Sequence, residues 1–360
     1  MSASNPSRVL VAMSGGVDSS VAAALLQRAG HEVVGVTMKL WGGQSDSGCC
    51  SVSDVDDARR VAQQLGIDHH VFNFGDEFDE FVVEPYVADH VAGRTPNPCV
   101  ECNRHIKFDK LLRRADALGF DLVATGHHAR RVQRGDHFRI ARGADDRKDQ
   151  SYVLYPLVGS ALARTIFPLG EMTKPQVRAL AEELGLRTAA KPDSQDVCFI
   201  AKSTGGRSVF LGERIPMRSA TVVDTSGQRV GELDSIELVT IGQRRGLDVG
   251  GPGGRRYVVD VDTAAQVVTV GGLEDLLSDR VELAEVVYAD ASSAGDALVG
   301  RAVGVQCSAH GREAPAVVAA SGRAASLTIG WNEPQRRVAP GQSVVLYDGD
   351  EVIAGGVVAR

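Results

Sequence analysis

The run VLVAMSGGVDSSVAAALL (residues 9–26) passes without a spacer from an apolar, strand-like stretch through Ser14, Gly15 and Gly16 into an alanine-rich helical one. A strand that turns tightly into a helix aims free backbone N–H groups and the positive end of the helix dipole at a single spot. Such a spot holds phosphate. Gly15 and Gly16 permit a backbone approach that a β-carbon would obstruct, and the hydroxyls of Ser14 and Ser19 add donors. Asp18 would repel bare phosphate, so its expected job is to hold a Mg²⁺ or to cap the helix. No Gly-Lys-Ser/Thr follows, so the loop is not a Walker A sequence. The bland alternative is a strand-to-helix turn with no ligand.

The same alternation recurs through the first half. Arg8–Met13 reads as a buried strand, Val17–Ala29 as a helix closed by Gly30, and His31–Met38 as the next strand. In SDVDDARRVAQQLG, residues Val55, Ala58, Val61, Ala62 and Leu65 share one helical face, with Ser53 and Asp56 spaced as a capping box and Gly66 as the stop. His69–Phe74 is a third strand, Ile106–Leu118 a helix ahead of Gly119, and Asp121–Thr125 a fourth strand. Strands alternating with helices predict an α/β, doubly wound parallel sheet. Thr173–Leu184 is a further helix, with Thr173 and Gln176 in capping positions and Pro175 in the first turn.

After about residue 205 glycine becomes frequent and helical periodicity fades. Ala220–Val223, Arg256–Val261 and Gln266–Val270 predict a small mixed central domain. Ala302–Cys307, Pro315–Ala319, Ser326–Ile329, Ser343–Tyr347 and Glu351–Val358, separated by turn residues, predict a C-terminal antiparallel β-barrel. The expected layout is 1–204 for the α/β domain (with part of 165–190 assignable to the next), 205–280 for the central domain and 281–360 for the barrel.

No apolar run approaches the roughly 18 residues that span a bilayer, and the N-terminus lacks a signal-peptide core, so no membrane partner and a cytoplasmic location are expected. The net charge of −7 disfavours indiscriminate nucleic-acid binding but allows a local patch. The pairs Arg244 and Arg245, Arg255 and Arg256, and Arg336 and Arg337 are candidates for such a patch, against a background of ordinary surface charge.

Six cysteines are few for 360 residues and suggest chemistry or metal before structural bridges. In RTPNPCVECNRHIKF (residues 94–108), Pro96 and Pro98 stiffen an extended loop that delivers Cys99 and Cys102 to the start of the Ile106 helix. Arg104, His105 and Lys107 favour a thiolate there. C-x-x-C alone has three readings: half a zinc site, a redox pair, or a nucleophile with an incidental neighbour. Cys49 and Cys50 would complete a four-thiolate site, although adjacent cysteines chelate one metal poorly. Cys307, in a strand pattern, reads as core.

The loop SGGVDS resembles the PP-loop of the ATP pyrophosphatases, which split ATP between its α and β phosphates and adenylate a substrate. SGGVDSS, CCSVSDVDDARRVAQQLGI, GRTPNPCVECNRHIKFD, LVATGHHAR, KDQSYVLY, KPDSQDVCFI and IGQRRGLDVGG then occur in the order found in the bacterial tRNA-specific 2-thiouridylases. The resemblance covers roughly residues 8–270 and is weaker over the final 80. It implies a PP-loop catalytic domain and sulfur transfer to C2 of the wobble uridine of tRNAs for Lys, Glu and Gln. ATP would be a substrate, accompanied by Mg²⁺, with no permanent cofactor and no metal in the protein alone. The expected partners are tRNA and a sulfur donor, either a cysteine desulfurase or a sulfur carrier.

Carried over by position, the resemblance places the catalytic nucleophile on Cys102 and the persulfide intermediate on Cys198. It places ATP contacts on Ala12, Met13, Ser14, Gly15, Gly16, Val17, Asp18, Ser19, Met38 and Gly126. It gives tRNA contacts to Asn97, Pro98 and Cys99, at the target base, and to Lys148, Asp149 and Gln150. Without the motif, Met38 would read as core, KDQ as a solvated loop, and His127 and His128 as hydrogen-bonded scaffold. Two departures matter. Where some members carry Asp three residues before the nucleophile this chain has Cys99, and Ser308–Gly311 lacks an Arg-Tyr contact pair found in some barrels. Two other functions compete: an amidating PP-loop synthetase, which needs no such thiol pair, and a zinc-bound RNA-binding module without turnover.

Overall fold

The computed structural model describes residues 6–40, 52–193, 197–200, 205–247, 249, 255–321 and 326–359. The chain divides into two compact units. The first is Met1–Val82, Cys99–Thr204 and Asp350–Val352; the second is Val83–Pro98, Gly205–Gly349 and Ile353–Arg360.

In the first unit, strand β1 (Arg8–Ala12) occupies the middle of a parallel sheet. On one side it pairs with β2 (Glu32–Lys39), which pairs with β3 (Asp68–Asn73). On the other it pairs with β4 (Leu122–Thr125), and the short strand Thr165–Ile166 follows. Val9, Leu10 and Val11 are fully buried, as a central strand of a parallel sheet requires. Helix α1 (Val17–Arg28), helix α2 (Val52–Leu65) and helix Lys174–Glu183 contribute Val21, Ala22, Val61, Val177 and Ala181 to one core with Val9 and Val11. The chain runs outward from β1 through β2 to β3 and then returns to β4 on β1's other side. The carboxyl ends of β1 and β4 therefore flank the switch point where ligands bind in such sheets. The predicted doubly wound sheet is present.

The capping box at Thr173 and Gln176 is formed, with the Thr173 N–H donating to Gln176 Oε1 at 2.8 Å. Two local expectations are corrected. Helix α2 is already helical at Val52, so Ser53 lies inside it and not at its N-cap. The chain is also helical from Pro98 onward: Pro98–Glu101 is followed by a π-helical stretch, Cys102–Lys110, and by Leu111–Ala117. Cys99 and Cys102 thus sit in helical turns, the helix starting at Pro98 and not at the predicted Ile106. Pro98 opens the helix because the N–H it lacks would have no helical partner in the first turn.

In the second unit, a four-stranded mixed sheet has the order Tyr257–Asp262, Val267–Gly271, Ala220–Asp224, Arg229–Leu233, with the middle pair parallel. Val222, Ile236, Val258 and Val268 fill its core. Six further strands, starting at Leu277–Tyr288 and ending at Glu351–Val358, close into an antiparallel barrel through pairs such as Leu283 with Val358. Leu283, Val305, Ile329, Leu346 and Ile353 fill it. Cys307 packs against that core, where burial pushes its thiol up to about 12. Helix Glu84–Val91 belongs to this unit too, its His90 Nδ1 lying 3.2 Å from the Glu237 carbonyl. No described helix is long and apolar enough to cross a membrane.

Candidate functional site

The residues after β1 make the loop predicted from sequence. The Ser14 N–H donates to Ser19 Oγ at 3.1 Å, Ser19 Oγ donates to the Gly16 carbonyl at 3.2 Å, and Ser20 Oγ donates to the same carbonyl at 2.8 Å. These bonds fold the loop back on the first turn of α1. Gly16 is the N-cap residue and supplies no side chain to the turn's N–H groups, which is the arrangement that receives an anion. Gly15 has φ of +72°, and a β-carbon there would lie 2.2 Å from the Asp54 carbonyl oxygen. Only glycine fits.

Ala12 and Met13 enter the loop from β1, with the Met13 N–H bonded to the Val36 carbonyl at 2.8 Å. The Thr37 hydroxyl donates to the Met13 carbonyl at 2.8 Å and lies 2.9 Å from His69 Nε2. Met38 is buried near the carboxyl end of β2. Gly126 follows β4, where a β-carbon would come within 2.7 Å of the Ser19 nitrogen. Its missing side chain is what lets the β4 turn lie against the start of α1.

Asp18 and Ser19 are the second and third residues of α1. Both Asp18 oxygens bond Lys174 Nζ, at 2.7 and 2.6 Å, and His128 Nε2 lies 3.3 Å from Oδ1. Burial pushes the Asp18 carboxyl up, but hydrogen bonds from His128 and Lys174, and the Lys174 charge, more than offset this, leaving it below its ordinary value. Lys174 also pairs with Asp193 at 2.8 Å, and Asp193 takes Lys148 at 2.6 Å and Arg178 at 2.8 Å. Burial again opposes, but Lys148 and Lys174 hold Asp193 at about 2.

The KDQ cluster closes onto this network. Gln150 Oε1 accepts from the His128 N–H at 2.9 Å, and the Gln150 N–H donates to the His128 carbonyl at 2.9 Å. Asp149 is buried, accepts from the Gly143 N–H and the Ser151 hydroxyl at 2.9 and 2.7 Å, and pairs with Arg142. Lys148 keeps a partly exposed side chain, its ammonium on Asp193. His127 is buried between Phe108 and Phe167, with Nδ1 2.7 Å from the Thr125 hydroxyl. Burial, then the charges of Lys107 and His128, hold it well below its ordinary value, a neutral scaffold residue. His128 is buried as well, and its ring is hydrogen-bonded to Asp18, as the scaffold reading expects.

Cys99, Cys102 and Cys198 all belong to the first unit, whereas Asn97 and Pro98 fall in the second. Cys99 is exposed, Cys102 is buried at the head of the π-helical stretch, and Cys198 is half-buried. Asn103 beside Cys102 is anchored by its Nδ2 on the Val153 carbonyl at 3.2 Å. Cys198 lies in a turn closed by the Ile200 N–H on the Val197 carbonyl at 2.9 Å. Phe199 packs on Phe78, the last residue of a short helix, Gly75–Phe78, which lies against Cys102–Lys110. Cys49 and Cys50 lie outside the described residues. No cluster of metal-ligating side chains occurs among the described residues.

Sequence reasoning missed Lys174 and Asp193. A signal was present: lysine opens the helix Lys174–Glu183, where the positive end of the dipole disfavours a cation. A residue placed against its electrostatic preference has another reason to be there.

Successive family models match the chain: a tRNA methyl transferase HUP domain over residues 7–202, a tRNA methyl transferase PRC-barrel domain over 208–272, and an aminomethyltransferase beta-barrel domain over 287–358. The tRNA-specific 2-thiouridylase of Mycolicibacterium smegmatis is 47% identical over 98% of this chain and 99% of its own. That of Roseiflexus sp. is 44% identical over 98% and 99%, and that of Clostridium botulinum 41% over 98% and 97%. Solved structures align more loosely: a 4-thiouridine synthetase–RNA complex with bound ATP gives a TM-score of 0.37 at 20% identity, over 54% of this chain and 45% of that one. With relatives above 40% identity running alongside it from end to end, the chain belongs to the tRNA-specific 2-thiouridylase family.

Proposed function

We propose that this enzyme exchanges oxygen for sulfur at C2 of the wobble uridine of tRNAs for Lys, Glu and Gln, at the expense of ATP, in the cytoplasm. The observation that carries the reading is the coexistence, in one compact unit, of an anion cradle at α1 and the cysteines 102 and 198. An amidating synthetase has no use for the second feature, and an RNA-binding module without turnover has no use for the first.

Oxygen at C2 of a uracil is a poor leaving group. Attack of that oxygen on the α-phosphate of ATP forms a C2–O–AMP bond and releases pyrophosphate, after which AMP can depart. Ala12–Ser19, Met38 and Gly126 hold the nucleotide, and Mg²⁺ enters with ATP as part of the substrate. Asn97, Pro98 and Cys99 face the target base, and Lys148, Asp149 and Gln150 serve the tRNA. In the last group the ammonium of Lys148, paired with Asp193 on a partly exposed side chain, suits a phosphate contact, while Asp149 and Gln150 shape the loop that presents it.

Cys198 carries the incoming sulfur as a persulfide delivered by a cysteine desulfurase or a sulfur carrier. In one route the terminal sulfur attacks C2 as AMP leaves, and the Cys102 thiolate then attacks Cys198 Sγ, freeing the thiocarbonyl. In the other, the Cys102 thiolate attacks first and releases hydrosulfide, which attacks C2. Both end with a Cys102–Cys198 disulfide, which an external thiol reductant reopens.

The test is Cys198→Ser, scored by mass spectrometry of tRNA nucleosides and by tRNA binding. Thiolation should vanish while binding stays nearly unchanged. Normal sulfur incorporation by that variant would refute the relay.

A further inference from the structure

We propose that Lys174 is a phosphate-binding residue of the nucleotide site: its ammonium exchanges Asp18 and Asp193 for oxygens of the ATP phosphates that leave as pyrophosphate. The inference deepens the nucleotide assignment above and rests on it.

Three observations support it. The first is placement. The Lys174 backbone is fixed twice, by the Thr173 and Gln176 capping box and by its N–H donating to Asp145 Oδ2 at 2.8 Å, and its side chain is only 9% exposed. The ammonium is therefore delivered to the first turn of α1 by a stem that cannot wander. The second is occupancy. A buried ammonium must be paired, and here its partners are both oxygens of Asp18 and one oxygen of Asp193. Oxygen anions thus already surround the position, and phosphate oxygens are chemically equivalent replacements for a three-donor point charge.

The third is the charge balance. Lys148, Lys174 and Arg178 converge on Asp18 and Asp193, with His128 also on Asp18; Asp145, held by the Lys174 backbone N–H, keeps its own charge, so three cations meet three carboxylates. Asp18 alone would repel a triphosphate arriving at the cradle. Lys174, paired with Asp18 in the first turn of α1, offsets that repulsion and puts an ammonium where the phosphates arrive.

Calorimetry on the full chain tests this with inorganic pyrophosphate and AMP as separate probes. Lys174→Met should bind pyrophosphate at least about tenfold more weakly, the loss of a charge-assisted hydrogen bond, with AMP affinity within about twofold of wild type. Asp193→Asn should act with the opposite sign and tighten pyrophosphate, because a carboxylate competing for Lys174 is gone.

Pyrophosphate affinity unchanged in Lys174→Met overturns the proposal. So does a parallel loss of pyrophosphate and AMP, the mark of a merely structural lysine, and so does weakened pyrophosphate binding in Asp193→Asn. If Lys174→Met does not fold, the sign of the Asp193→Asn effect still decides. A wild-type chain that binds no ATP at all overturns the nucleotide assignment itself, a result distinct from any of these.

Discussion

Phe199, the residue after Cys198, packs edge-on against Phe78 with ring centroids 5.6 Å apart. Both rings are buried, and Phe78 ends the short helix that lies against the helical stretch opened by Cys102. Through this apolar contact the turn that carries Cys198 is linked to the element that Cys102 opens, although 96 positions separate the two cysteines in sequence.

Phe199→Ala removes that anchor. Truncating a buried phenylalanine costs about 3 kcal/mol or more, and here the loss falls on the turn that carries Cys198. The expected outcome is a thiolation rate lowered by at least about tenfold, with pyrophosphate release from ATP retained, since the cradle at α1 is untouched. Single-turnover assays that follow both products decide it: equal losses in the two would show that the ring supports the whole unit and not the sulfur-bearing turn.

Gly126→Ala places a methyl group 2.7 Å from the Ser19 nitrogen and 2.8 Å from the Asp18 carbonyl carbon, closer than real contacts allow. Those neighbours are backbone, so the start of α1 must shift. ATP affinity should fall by at least about tenfold while the far-ultraviolet circular dichroism stays the same. Wild-type affinity in this variant would remove Gly126 from the nucleotide site.

How much of this was legible beforehand follows from which interactions are local. The turn from β1 into α1 is written in consecutive residues, because strand, glycine turn and helix each have a short-range signature, and Gly15 and Gly126 meet their neighbours where the sheet's switch point demands. The helix that holds Cys99 and Cys102 begins eight residues ahead of the expected Ile106, because Pro98, read as the end of an extended loop, serves as a helix start. Lys174 was invisible for a different reason. Its partners lie 156 and 19 positions away, and no local pattern encodes a pairing that only the packing of the helix Lys174–Glu183 near α1 creates. The inward ties of Asp149 and Gln150 escaped for the same reason, since a polar tripeptide reads as solvated until His128, Gly143 and Arg142 are placed beside it.

Alkylation should separate the thiols by their surroundings. Cys99 is exposed, whereas Cys307 is held at about 12 by burial beside the barrel core. At pH 8 about one Cys307 in ten thousand is a thiolate, so iodoacetamide should modify Cys99 long before it touches Cys307 in the folded chain. Peptide mapping after a brief exposure checks the order. Early modification of Cys307 would mean that the barrel opens on the time scale of labelling.

The pH dependence of stability should carry the mark of His69, whose ring meets the Thr37 hydroxyl that in turn holds the Met13 carbonyl at the entrance to the phosphate loop. Burial, then the charges of Arg59 and His70, push its pKa down to about 4. In the unfolded chain the value returns to about 6.5. Because the folded value is the lower one, the unfolded chain takes up a proton between those limits while the folded chain does not. Stability is therefore full above about 6.5 and declines as pH falls towards about 4. His90 in the second unit is pushed to about 4 as well, by burial and then by Arg207, against a hydrogen bond to the Glu237 backbone that raises it, and it contributes with the same sign. Urea midpoints at pH 7 and pH 5 should thus differ in the wild type, and His69→Gln, which cannot titrate, should shrink the difference without abolishing it. An unchanged difference in that variant would show that the proton uptake occurs elsewhere, and that the ring beside Thr37 is already charged in the folded protein.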